Sequence, residues 1–287
     1  MSCKNIRYGG NSLIIKKFDI KSMPDYVTIA MIAKRASGKS YLTREILFHM
    51  RDIPTAIAIS KTEKLNKFYT EFIPEIYIYD EYTSSILDKI YQRQEQIELD
   101  NQMRQREGKK TKDSRLILIM DDCMSSKGSW VKEQQIAELF FNGRHYKMSF
   151  ILTMQFSLGI PPEMRSNFDF IFLLAEDFIT NRKRLYEHYA GMFPNFNTFA
   201  QVFLDLTESY GCMVINNRVH SKDITEKVFW YRAKETPNFT IGSKKYKKYH
   251  DKKYDKNWNN KIEVFDPTML LSRSKKDSKI SIEKIKN

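Results

Sequence analysis

Lys39 and Ser40 close the run Ala33-Lys34-Arg35-Ala36-Ser37-Gly38-Lys39-Ser40, which has the spacing GxxxxGK[ST] of a phosphate-cradling loop, with Ala33 at the first glycine position. Such a loop wraps successive backbone N–H groups around a β-phosphate. Its lysine ammonium meets the β- and γ-oxygens, and its serine hydroxyl holds Mg2+. All eight residues from Ala33 to Ser40 are therefore candidates for binding ATP. Ala33 and Ala36 stand where glycine is common, so a position that needs positive φ is less comfortable here. Lys34 and Arg35 read either as extra cations for phosphate or as surface charge.

A second set of residues does the complementary chemistry. Asp121 and Asp122 end the apolar run RLILIMDD. A carboxylate at such a strand end can hold Mg2+ beside the loop serine. Its neighbour can orient or deprotonate an attacking water. This assigns Asp121 to the metal and Asp122 to catalysis. An aspartate pair at a strand end is by itself an ordinary turn; downstream of a phosphate loop it becomes half of a site. Gln155, ending ILTMQF, reads either as a γ-phosphate sensor or as a satisfied strand-end amide.

These residues need strands to carry them and helices to lock the strands. Short apolar runs predict strands at 27–32, 55–60, 75–79, 116–120, 149–154, 168–174, 212–216 and 228–231. Apolar stripes predict helices at 40–51, 84–106, 132–141, 181–189 and 198–207. Continuous apolar strands alternating with helices indicate an α/β fold, a mostly parallel sheet covered on both faces. The long interval between Lys39 and Asp121 leaves room for a strand between the two motif strands, the additional-strand form of P-loop NTPase. Residues 1–234 are expected to be the ATPase domain, with 1–24 leading in. Residues 235–287 are expected to form a basic C-terminal extension, and the Lys/Tyr/Asn tract at 244–260 a mobile segment or one ordered by a partner.

Composition narrows the class. The 287 residues are 41% hydrophobic and 13% aromatic, enough for a large core. The net charge is +13, and residues 235–287 carry +7 of it, with 14 Lys/Arg against 7 Asp/Glu. Excess base points to an anionic partner or to solubility alone. Cys3, Cys123 and Cys212 are widely spaced, with no CxxC, so neither a disulfide framework nor a zinc site is expected. The polar N-terminus lacks the apolar stretch of a signal peptide, and no apolar run reaches membrane-spanning length. A cytosolic setting is expected.

Six segments together resemble the DNA-packaging ATPases of poxviruses and nucleocytoplasmic large DNA viruses, within the FtsK–HerA superfamily. They are IAMIAKRASGKS, LILIMDDCM, ELFFNGRHYKMSFILTMQF, IPPEMRSNFDFIFLL, NRKRLYEHYAGMFPNF and CMVINN…VFWYRA, spanning roughly residues 25–235. The NGRHY and TMQ elements are the specific ones. The resemblance implies a homo-oligomeric ring, pentamer- or hexamer-like, that hydrolyses ATP and threads viral double-stranded DNA into a capsid. It implies a capsid or portal component as a further partner, and residence in a host-cytoplasmic viral factory or in the virion. Ring ATPases need a cation supplied in trans. Arg144, in Asn142-Gly143-Arg144-His145, is the first choice and Arg165 the second, with Arg182 and Arg184 behind them; the alternative for Arg144 is a loop or DNA-backbone contact. His145 is read as a packed polar residue, not a metal ligand. The competing readings are a nucleotide kinase, an ATP-binding nucleoprotein scaffold without motor activity, and a helicase.

Overall fold

The computed structural model describes residues 3–8, 11–123, 130–156, 158–255 and 257. Its strands are β1 Cys3–Tyr8, β2 Asn11–Lys16, β3 Thr28–Ile32, β4 Thr55–Ser60, β5 Ile78–Tyr79, β6 Leu116–Asp121, β7 Met148–Met154, β8 Phe170–Leu173, β9 Gly211–Asn216 and β10 Val228–Arg232. Its helices are α1 Lys39–His49, α2 Glu63–Asn66, α3 Ser84–Arg106, α4 Gln134–Asn142, α5 Pro162–Arg165, α6 Ile179–Tyr189, α7 Phe196–Thr207, α8 Ile224–Lys227 and α9 Lys244–Lys253.

Eight strands form one sheet in the order β10-β9-β8-β3-β7-β6-β4-β5. From β8 to β5 every pairing is parallel; β9 and β10 add on antiparallel. The α/β fold expected from sequence is present, including the additional strand: β7 lies between β3, which feeds the phosphate loop, and β6, which ends in Asp121. The strand that fills this place does not come from the interval between the motifs. That interval supplies β4, β5 and α3, and the intervening strand follows Asp121 in the chain.

Residues of β4, β6, β7 and β8 are buried throughout because helices cover both faces, which is why these strands read as unbroken apolar runs. On one face α1 packs Leu42, Ile46 and Leu47 with Tyr69, Phe72 and Ile73. On the other, α3, α4 and α7 bury Leu87, Ile90, Ile136, Leu139, Phe199 and Phe203. Each fully buried side chain of this size contributes about 1.5–3 kcal/mol of transfer free energy.

Three stretches differ from the sequence expectation. Residues 75–79 form a 3-10 turn, Glu75–Tyr77, and only the two-residue strand β5, because the segment sits at the sheet edge with a single neighbour. Residues within 1–24, expected only to lead in, form the β1–β2 antiparallel hairpin. Ile6 and Ile15 are buried, and Phe18 N–H donates to the Trp230 carbonyl at 2.9 Å.

The expected boundary at 234 is the third. One compact unit spans Met1–Lys252. Ile241 is buried with its N–H donating to the Phe72 carbonyl, and Ser243 N–H donates to Pro54. The Tyr246 ring stacks on Tyr77 at 3.9 Å and its hydroxyl donates to the Ala56 carbonyl at 2.5 Å. These apolar and aromatic residues, spaced among the lysines, fold the first half of the 244–260 tract into α9. Residues 256 and 258–287, most of the expected basic extension, lie outside the described residues.

Candidate functional site

β3 runs into the loop and α1 runs out of it, so the N-terminal end of α1 faces whatever the loop holds. Ala33 N–H donates to the Met154 carbonyl at 2.9 Å, continuing the β3–β7 ladder to the loop's first residue. Ser37 Oγ donates to the Lys34 carbonyl at 2.7 Å and closes the turn. Gly38 has φ +96° and Ala36 φ +59°. Of the two alanines at glycine-like positions, Ala36 is thus the one carrying left-handed strain.

Lys39 and Asp121 meet. Nζ lies 2.8 Å from Asp121 Oδ1 and 3.3 Å from Thr153 Oγ1. Thr153 Oγ1 itself donates to Asp121 Oδ1, and Ser60 Oγ donates to Oδ2 at 3.4 Å. The Tyr69 hydroxyl is buried beside the same carboxylate; burial first, then the Asp121 charge and hydrogen bond, raise its pKa well above the usual tyrosine value. Tyr69 therefore stays protonated and acts as a donor to Asp121. Parallel register explains the convergence: Asp121 pairs with Ser60 on one side and Thr153 on the other.

Asp122 has a left-handed φ of +52°; its N–H donates to the Thr153 carbonyl at 3.3 Å and its carboxylate accepts from Gln155 Nε2. The structure thus pairs Asp121 with Lys39 and Asp122 with Gln155 across neighbouring strand ends. Lys34 forms an ion pair with Asp177 after β8, while Arg35 is exposed. An open cleft of about 840 Å³ runs beside the loop, lined by Lys34–Ala36, Gly38–Tyr41 and Gln155, and opposite them by Ser209, Tyr210, Arg232, Ala233 and Glu235. That volume falls within the roughly 300–1,000 Å³ of small-molecule sites.

The arginines do not converge on this cleft. Arg144 is exposed in the turn before Met148, where β7 begins, at the opposite end of the sheet from the loop. His145 is exposed in the same turn rather than packed. Arg165 donates from Nε to the Ile160 carbonyl at 2.9 Å and lies 5.9 Å from the Tyr189 ring centroid. Arg182 donates to the Glu176 and Asp177 carbonyls. Of these four arginines, Arg184 alone shares a cavity with site residues, a smaller one of about 170 Å³ that it lines with Lys34 and Gln155.

Thr153, Ser60 and Tyr69 escaped the sequence reading. The first two carried a signal, each being a polar residue at the end of an apolar strand. Tyr69 carried none, because its role follows from the fold of 69–73 back over the sheet.

The profile of the family described as Poxvirus A32 protein matches residues 15–189. Protein L437 of Acanthamoeba polyphaga mimivirus is 42% identical over 245 residues, 85% of this chain and 86% of its own. Protein 088R of Invertebrate iridescent virus 3 is 36% identical over 228 residues, 77% of this chain and 82% of its own. The pCW3 conjugation coupling protein TcpA, solved as a monomer with ATPγS, matches with a TM-score of 0.51 at 12% identity, over 80% of this chain and 65% of that one; it shares the fold.

Proposed function

The chain belongs to the Poxvirus A32 protein family, and from that premise we propose that it is an ATP hydrolase that drives double-stranded DNA into a viral capsid as part of a homo-oligomeric ring. The observation that carries this reading is the meeting of Lys39 with Asp121 at the edge of an open cleft lined by the phosphate loop. A turn that arose by accident would have no reason to face a strand-end carboxylate held by Thr153, Ser60 and Tyr69.

The loop N–H groups and Lys39 bind the triphosphate, with the ammonium neutralising charge on the transferred phosphoryl group. Phosphate oxygens then compete with Asp121 for Lys39. Ser40, exposed to the cleft, and Asp121 offer the hard oxygen donors that suit Mg2+. Mg2+ held there would supply neutralisation of phosphate charge. Asp122 accepts the proton of the attacking water, and Gln155, hydrogen-bonded to it, fixes its orientation. TcpA, which shares the fold, was solved with ATPγS, in keeping with nucleotide binding by a protein of this fold.

Arg144 is exposed and remote from its own cleft, so a catalytic role for it has to be exercised on a neighbouring subunit's site. Arg165 is the second candidate. Arg144→Ala is expected to abolish turnover and keep nucleotide binding, and mixing it with Lys39→Ala subunits to restore part of the activity. Absence of rescue in mixed assemblies counts against a role in trans.

Steady-state ATP hydrolysis with and without duplex DNA at low salt tests the motor reading, since phosphate contacts weaken steeply with ionic strength. Stimulation by DNA is expected, with a ring mass in the presence of ATP. Turnover indifferent to DNA under these conditions removes the translocation claim and leaves an ATPase without a DNA motor.

A further inference from the structure

The loop side of the cleft accounts for the phosphates. The opposite wall, Ser209–Tyr210 with Arg232, Ala233 and Glu235, has no part in that chemistry. It is nonetheless built with care. Ser209 and Tyr210 are consecutive non-glycine residues in the left-handed region, with φ of +51° and +63°. Side chains seldom adopt this conformation, and it persists where the surroundings over-determine it, most often at ligand sites.

Here the surroundings are the end of α7 and the start of β9. The turn is too tight for a side chain at Gly211, where an added Cβ would lie 2.2 Å from the Leu206 carbonyl oxygen. The result is an aromatic ring fixed above the phosphate loop: a Cβ built on Gly38 would come 3.6 Å from Tyr210 Cβ and Cδ1. Yet the Tyr210 side chain is not core. It is 70% exposed, as Tyr41 on the loop side of the same cleft is 61% exposed. A strained turn that holds a large ring out of the core and over a triphosphate cradle places it where a nucleoside extends from its phosphates.

We propose that Tyr210 is the nucleobase platform of this site, its ring face stacking on a purine whose phosphates lie in the loop. Stacking recognises a π-face rather than a hydrogen-bonding edge, so it tolerates either purine. The inference rests on the loop binding a nucleoside triphosphate.

Titration calorimetry with Mg-ATP, Mg-GTP and inorganic tripolyphosphate separates the two. Tyr210→Ala is expected to weaken both nucleotides by about tenfold or more and to leave tripolyphosphate within about twofold. Tyr210→Phe, which keeps the ring, should bind all three as the wild type does. Unchanged Mg-ATP affinity in Tyr210→Ala, or an equal loss for tripolyphosphate, overturns the platform, the latter because it means that the residue only shapes the loop. A loss in Tyr210→Phe overturns it as well. Wild-type protein that binds neither Mg-ATP nor tripolyphosphate overturns the phosphate site and the platform together; wild-type binding of both, with Tyr210→Ala indistinguishable, overturns the platform alone.

Discussion

Asp121 sits among more donors than a surface carboxylate ever meets: Lys39, Thr153, Ser60 and the protonated Tyr69. Thr153 Oγ1 accepts from Lys39 and donates to Asp121, so Thr153→Val removes one hydrogen bond from each. It should cost roughly 1–3 kcal/mol in a denaturant melt and lower turnover while nucleotide binding survives; an unaffected rate would show that the hydroxyl has no part in placing the pair. Cys123 is buried and its thiol is pushed up to about 12 by burial first and by Asp121 and Asp122 next, and burial also raises Cys212. A thiolate is the reactive form, so at neutral pH one fast-reacting thiol, the exposed Cys3, is expected with a thiol reagent, and three only after unfolding. Fast reaction of Cys123 in the native protein would contradict the packing around Asp121. Lys39, Asp121 and Asp122 were legible because their spacing along the chain is itself the motif. Thr153, Tyr69 and Tyr210 were not, because each becomes relevant only through a neighbour brought to it by folding.

Among the elements, most of the sheet was readable, out to its antiparallel strands β9 and β10. Strands β4, β6 and β7 announce themselves as apolar runs because both faces are covered, whereas the run at 75–79, with one neighbour, pairs over only the two residues of β5. The hairpin did carry a signal, Gly9-Gly10 between two six-residue runs, which is a common hairpin connector. The helix α9 was obscured by its lysines; its docking depends on Tyr246 alone among the ten residues for burial. Gly242 makes that docking possible, with φ +102° and no space for a side chain: an added Cβ would meet Tyr246 Cδ1 at 2.3 Å. Gly242→Ala should therefore release α9, at a cost of roughly 2 kcal/mol, and expose Lys244–Lys253 to trypsin in the otherwise native protein. Unchanged cleavage kinetics would mean that the helix is held by something other than this contact.

At the scale of the whole molecule, six strands of a parallel sheet bring their C-terminal ends to one edge, the loop, Asp121, Asp122 and Gln155 share that edge, and the net charge is +13. Among the described residues no helix is long and apolar enough to cross a membrane. Under the proposed reading the pocket comes first, since a motor cannot move without hydrolysis. The direct measurement is phosphate release from Mg-ATP by the wild-type protein and by Lys39→Ala and Asp122→Asn, each checked for folding by its melt. Hydrolysis by the wild type, with loss of nucleotide binding and turnover in Lys39→Ala and a fall of at least about a hundredfold in turnover with binding retained in Asp122→Asn, is the predicted result. Wild-type rates in either variant would contradict the site.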